Sequence, residues 1–131
     1  MERSLRFYVD QLGFAIALRW EPGGRLRWCR LERDSVALML QELVDDRHDP
    51  VPLARPFGTG VTICITCADS LALYDEVAAR GLAPSGEPFV GNGMWVVDYT
   101  DPDGYQIEFS SATDVPEETM PSSGRADRPP S

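Results

Sequence analysis

Lysine is missing from this 131-residue chain, whose twelve basic residues are all Arg. Histidine occurs once, as His48 beside Asp49 in an acidic stretch, where it reads as a surface residue. No apolar run approaches the ~20 residues of a membrane span, and the expectation is that no signal peptide precedes the first structured residues. Positive charge is scarce: the 21 acids leave a net charge of −9. The imbalance is local. Residues 1–57 hold nine acids and nine bases, residues 58–111 hold eight acids against Arg80 alone, and the last twenty hold four against two. Such a chain is a poor partner for nucleic acid, whereas attraction of a cationic ligand is physically reasonable.

Cysteine is also sparse. Cys29, Cys64 and Cys67 are odd in number and sit inside strand patterns. Cys64-Ile-Thr-Cys67 has the spacing of a metal or redox pair, but residues three apart on a strand point to opposite faces. Free thiols in a reducing cytoplasm are the expectation.

What is present is a hydrophobic content of 43%, enough for a packed globule, arranged in clear periods. The stretch Asp101-Pro102-Asp103-Gly104 is a tight turn, with Pro102 presetting φ and Gly104 admitting positive φ. Met94 to Tyr99 before it and Tyr105 to Phe109 after it alternate as strands, so the whole is a β-hairpin. Ile107 and Phe109 take its core face, and Gln106, Glu108 and Ser110 take the other.

Residues 2–12 predict a helix with Leu5, Tyr8, Val9 and Leu12 on one side, stopped by Gly13. Strands are expected over Phe14 to Glu21, Leu26 to Glu32 and Val36 to Gln41, followed by a proline-bearing linker over 42–57. Val61 to Cys67 is a further strand. Asp69-Ser70 caps a helix that runs to Arg80 and ends at Gly81. A short strand near Ala83 to Pro88 leads into the hairpin, and from Ala112 onward the composition predicts a disordered tail.

These elements repeat. Ser4-Leu5-Xaa-Xaa-Tyr8 recurs as Ser70-Leu71-Xaa-Xaa-Tyr74, each opening a helix that ends at a glycine. The second half reads βαβββ and the first αβββ. The expected organisation is a first module over 1–57, a second over 58–111 and a tail over 112–131. The first module lacks its leading strand, because Met1-Glu2-Arg3 is too short to form one. The expectation is that Met1 lies inside a longer native chain that supplies this strand; the alternative is that the Val51–Phe57 linker or a strand from a second chain covers the open edge.

The paired modules, the Ser-Leu-Xaa-Phe-Tyr helix leading to Leu-Gly-Phe, and the closing Asp-Pro-Asp-Gly-Xaa-Xaa-Xaa-Glu hairpin resemble the vicinal-oxygen-chelate superfamily. This group contains glyoxalases, extradiol dioxygenases and bleomycin-resistance proteins. The resemblance implies an α+β fold in which two βαβββ modules curl into half-barrels around a concave cleft. Metal-using members carry ligands on the first and last strands of each module. Glu108 matches the closing carboxylate, but Thr62 and Met39 stand at two other ligand positions. The resemblance therefore implies a site without metal or cofactor, since catalytic metals need about three protein ligands.

By strand parity, the cleft is expected to be lined by Met39, Thr62, Cys64, Asp98 and Glu108, with Trp20, Trp28 and Trp95 as aromatic surfaces. Aromatic rings and a carboxylate suit a flat or cationic organic ligand. The favoured reading is a metal-free protein, similar to bleomycin-resistance proteins, that sequesters a small cationic or aromatic ligand as a homodimer. The alternative is a glyoxalase-like lyase, isomerase or dioxygenase using Glu108 as base or metal ligand.

Overall fold

The computed structural model describes residues 1–52, 54–55, 57–117 and 119. The chain opens with a short helix α1 (Glu2–Leu5) that widens into a π-helical turn over Arg6–Gln11. There the Leu12 N–H donates to the Phe7 carbonyl at 2.8 Å, and the Phe14 N–H to the Tyr8 carbonyl at 2.9 Å. The first bond reaches five residues back, which adds a residue to the turn, and the second reaches six back and closes its end. Phe7, Tyr8 and Leu12 are all buried, while Leu5 and Val9 are only half-buried. The regular helix expected over 2–12 is thus corrected, and Phe7 takes a core place that 3.6 periodicity did not assign.

Gly13 closes this turn at φ +79°, and a Cβ there would lie 2.5 Å from guanidinium nitrogens of both Arg33 and Arg80. Those two arginines donate to the free carbonyls of Leu12 and Gln11, and both pair with Glu76. Glycine suits this positive φ, and its missing side chain lets both guanidiniums cover the helix end.

Strands β1 (Ala15–Trp20), β2 (Trp28–Arg33) and β3 (Val36–Gln41) form an antiparallel sheet in that order. A register shift between Ile16 and Leu18 marks a bulge in β1. Strand β4 (Thr62–Thr66) is followed by helix α2 (Ser70–Ala79), then β5 (Phe89–Gly91), β6 (Met94–Thr100) and β7 (Gln106–Ala112). They form a second sheet ordered β4-β7-β6-β5, with β4 parallel to β7. Asp69 caps α2 by accepting from the Ala72 N–H at 2.9 Å. The short strand expected near 83–88 falls instead at Phe89–Gly91, because Pro84 and Pro88 cannot donate to a ladder.

One core joins the two sheets. Phe7, Tyr8, Leu12 and Phe14 pack with Cys29 and Leu31 of β2, Leu73 and Val77 of α2, and Val97, Tyr99, Ile107 and Phe109 of the hairpin. Ile107 and Phe109 are essentially inaccessible; each such burial stabilises by about 2 kcal/mol. A second cluster of Leu71, Val90 and Trp95 receives Val115.

The hairpin turn is fixed by Asp101, a buried carboxylate. Its Oδ1 accepts from the Asp103 and Tyr105 N–H groups at 2.9 and 2.8 Å, and its Oδ2 accepts from the Tyr8 hydroxyl at 2.7 Å. Burial and the adjoining Asp101 carboxylate hold the Tyr8 phenol protonated far above its ordinary range. Gly58 lies against this turn so closely that a Cβ would come within 2.4–2.6 Å of Gly104 and Tyr105 backbone atoms.

A tail beginning at Ala112 is not what the structure shows. Ala112 ends β7, and Glu117 accepts from the Asn92 and Gly93 N–H groups at 3.1 Å. The rest of the expected tail, residues 118 and 120–131, lies outside the described residues.

Tyr8→Phe is expected to lower unfolding free energy by about 2 kcal/mol, the value of a buried hydrogen bond to a charged group. Urea denaturation measures it. A change within error would mean that the Tyr8 hydroxyl does not tie the first helix to the hairpin.

Candidate functional site

The shared core covers one face of each sheet, so the opposite, helix-free faces are where a ligand could meet side chains. On the second sheet the register sets Cys64, Glu108 and Asp98 side by side across β4, β7 and β6. Asp98 and Glu108 are half-buried, and neither carboxylate is ion-paired among the described residues. Like charges directly opposite on antiparallel strands repel. Burial and the Glu108 charge raise the Asp98 carboxyl above its ordinary range. Desolvation and the same Glu108, which accepts a hydrogen bond from the thiol, push Cys64 up. The acid row is therefore short of positive charge.

One step along the strands lie Thr62, Gln106 and Thr100. Thr100 Oγ1 donates to Gln106 Oε1 at 3.1 Å, and the Ser85 hydroxyl joins them at 2.8 and 3.3 Å. On the other side of the acids, Phe89 stands beside Val96 and is 39% exposed. The face thus grades from hydroxyl and amide through carboxylate to an aromatic ring.

On the first sheet, Cys29 and Leu31 face the core, so Trp28 and Arg30 face away. The bulge in β1 brings Leu18 opposite Arg30 and Trp20 opposite Trp28, with Met39 and Gln41 beside them on β3. Trp20 is 53% exposed and Met39 70%. Two adjacent indoles on a free sheet face make a stacking surface.

Trp20, Trp28 and Met39 thus lie together on one sheet, and Thr62, Cys64, Asp98 and Glu108 on the other. Trp95 does not join them. It alternates with Asp98 along β6, is 4% exposed, and packs against Leu71 and Val90. Its placement on the ligand face is corrected by parity: Trp95, Val97 and Tyr99 share one side of the strand. Leu18, Arg30, Phe89 and Thr100 were not foreseen, and Gln106 was placed on the Glu108 face without being read as a site residue. Arg30 could have been found from its parity with Trp28, and Thr100 and Gln106 from theirs with Asp98 and Glu108. Leu18 could not, because the bulge breaks the alternation of β1.

A metal does not suit this donor set. Two of the other ligand positions that the resemblance implies hold the hydroxyl of Thr62 and the thioether of Met39. No three His, Cys, Asp or Glu side chains converge as a metal site among the described residues. What the face offers is charge and hydrogen bonding from its own side chains.

Two open sheets sharing one core, with aromatic and acidic helix-free faces, define a glyoxalase-type α+β protein. The family model described as Glyoxalase/Bleomycin resistance protein/Dioxygenase superfamily matches residues 1–109, and the chain belongs to that superfamily. No curated protein is a significant sequence match. Among solved structures, the chain is similar to a glyoxalase/bleomycin resistance protein/dioxygenase from Nocardioides: TM-score 0.64, 20% identity, 88% of this chain and 78% of that one. It is also similar to a bleomycin-binding protein complexed with bleomycin, at TM-score 0.60 and 21% identity over 85% and 88%. TnmS3, an antibiotic-binding protein from Streptomyces sp. CB03234, gives 0.59 and 23% over 86% of each chain. At such identities the likeness speaks for the fold.

Asp98→Asn is expected to stabilise the protein at neutral pH by about 0.5 kcal/mol, by relieving a cross-strand repulsion. An acid whose pKa is raised on folding stabilises the fold at low pH and loses that contribution as pH rises through the raised value. The gain from Asp98→Asn should therefore vanish when urea titrations are repeated at acid pH. A pH-independent gain would show that Asp98 and Glu108 do not interact.

Proposed function

We propose that the protein is a metal-free binder of small organic cations that carry a flat or aromatic part. The observation that carries this reading is the unneutralised Asp98–Glu108 pair on a sheet face whose companion sheet sets an exposed Trp20 beside a half-buried Trp28. A cation between the two carboxylates relieves their repulsion, and an indole face adds stacking and cation–π attraction. The bleomycin-binding and antibiotic-binding neighbours support ligand capture as a use of this fold.

The proposed working form is a homodimer in the cytoplasm. Leu18, Trp20 and Met39 are largely exposed on one face of a small chain, and a second copy laid across them would close the cleft and remove that surface from water. In this form each cleft draws its aromatic wall and its acidic wall from the two modules.

A second reading is favoured by one observation. Burial and the Glu108 charge opposite raise the Asp98 carboxyl, and two carboxyls held this close can divide acid and base roles. In that case the protein is a glyoxalase-like lyase or isomerase with Glu108 as base.

Tryptophan-fluorescence titration with bleomycin and a panel of aromatic cations tests the binding reading. Glu108→Gln should weaken cation binding about tenfold, the loss of roughly one charge-assisted contact. Rising salt should weaken it further. Affinity indifferent to both changes would overturn cation capture, and turnover of any panel member would favour the enzyme.

A further inference from the structure

The cluster of Leu71, Val90 and Trp95 is covered by Val115, on the segment that leaves β7. That segment is held at two places. The Thr113 N–H donates to the Gly93 carbonyl at 2.9 Å. Glu117 then takes both amides of the β5–β6 turn: its Oε2 accepts from the Asn92 N–H and its Oε1 from the Gly93 N–H, each at 3.1 Å.

The turn is a two-residue loop between the paired Gly91 and Met94, with Asn92 at φ +53° and Gly93 at φ +71°. Left-handed backbone at both positions is the habit of Asn-Gly hairpins. Asn92 is the only asparagine in the chain, and it is exposed. The residue after it has no side chain to shield its nitrogen. Such a nitrogen can attack the neighbouring side-chain amide.

We propose that Asn92 is a deamidation site and that Glu117 restrains it. In the reaction the Gly93 nitrogen bonds to Asn92 Cγ and gives up its proton. The Cγ–Nδ2 bond breaks, and ammonia leaves with that proton. Water then opens the resulting succinimide at either carbonyl, giving aspartate or isoaspartate. No oxidant or cofactor takes part, and the turn gains one negative charge.

Attack requires the Gly93 nitrogen to be free of its proton. A carboxylate accepting that N–H disfavours the amide anion, and two bonds to one side chain keep the turn closed. The product reverses this. Its new carboxylate shares the turn with Glu117, and like charges repel. Glu117 is expelled, and Val115 loses its hold over Trp95. Because β5 is the outer strand of its sheet among the described residues and carries Phe89, the loosening reaches the aromatic end of the acidic face.

The full chain is incubated at neutral pH and physiological temperature, and the peptide carrying residue 92 is assayed for aspartate and isoaspartate. Loss of the charge-assisted clasp in Glu117→Ala should speed deamidation about tenfold. A rate equal to or below that of the unaltered chain overturns the restraint, and no reaction in either protein overturns the site. Amide hydrogen exchange reads the consequence. Asn92→Asp should raise exchange over residues 113–117 several-fold. Asn92→Gly keeps the left-handed turn without the charge and should leave exchange unchanged. Equal exchange in these two variants overturns the charge switch. Asn92 and Glu117 are both exposed, so none of the substitutions disturbs the core.

Discussion

The hydrogen bond from Tyr8 to Asp101 carries the architecture. It joins the π-helical turn of the first half to the hairpin turn of the second, 93 residues later, inside a shared core. The other Asp101 oxygen holds the Asp103 and Tyr105 N–H groups, so one carboxylate both shapes the turn and anchors it. A hairpin turn held this firmly sets the register of β6 against β7. That register decides the chemistry of the face, because a slip by one residue would turn Asp98 and Glu108 into the core and Val97 and Phe109 out. The buried carboxylate is sustained by three donors; without them its desolvation would oppose folding.

Much of this was legible because it depends on neighbours in sequence. The Asp-Pro-Asp-Gly turn, the Asp69 cap and the opposed faces of Ile107 and Glu108 follow from local rules. Features that depend on non-local packing were not legible. Nothing in Arg6–Gln11 announces a π turn, which arises where Phe7 and Leu12 must both reach the core. The β1 bulge likewise follows from pairing with β2. Trp95 is a different case. An aromatic ring in an acidic segment suggests a ligand surface, while its parity with Tyr99 points to the core, and parity prevails in the fold.

The acidic excess of residues 58–111 also changes meaning once its members are placed. Asp69 caps α2, Asp101 builds the turn, Asp103 pairs with Arg55, and Glu76 holds Arg33 and Arg80. Beyond that segment, Glu117 caps the turn at Asn92 and Gly93. In the first half, Arg25 and Arg27 share Glu42, and Arg30 pairs with Glu32. Net charge therefore overstates how much of the surface attracts cations in any organised way. Attraction concentrates where two carboxylates are forced together without a counter-charge.

That concentration separates a binding face from a merely acidic protein. A dispersed negative surface raises the encounter rate with cations but does not hold them in one pose. Asp98 and Glu108 are fixed by strand pairing, flanked by the Ser85–Thr100–Gln106 hydroxyl and amide group on one side and by Phe89 on the other. Little side-chain entropy is lost on binding when backbone register has already placed the groups. Under the proposed function, the face would suit a ligand that is charged at its centre, polar at one end and flat at the other. The same hairpin register that makes the carboxylates repel is what makes a cation between them favourable.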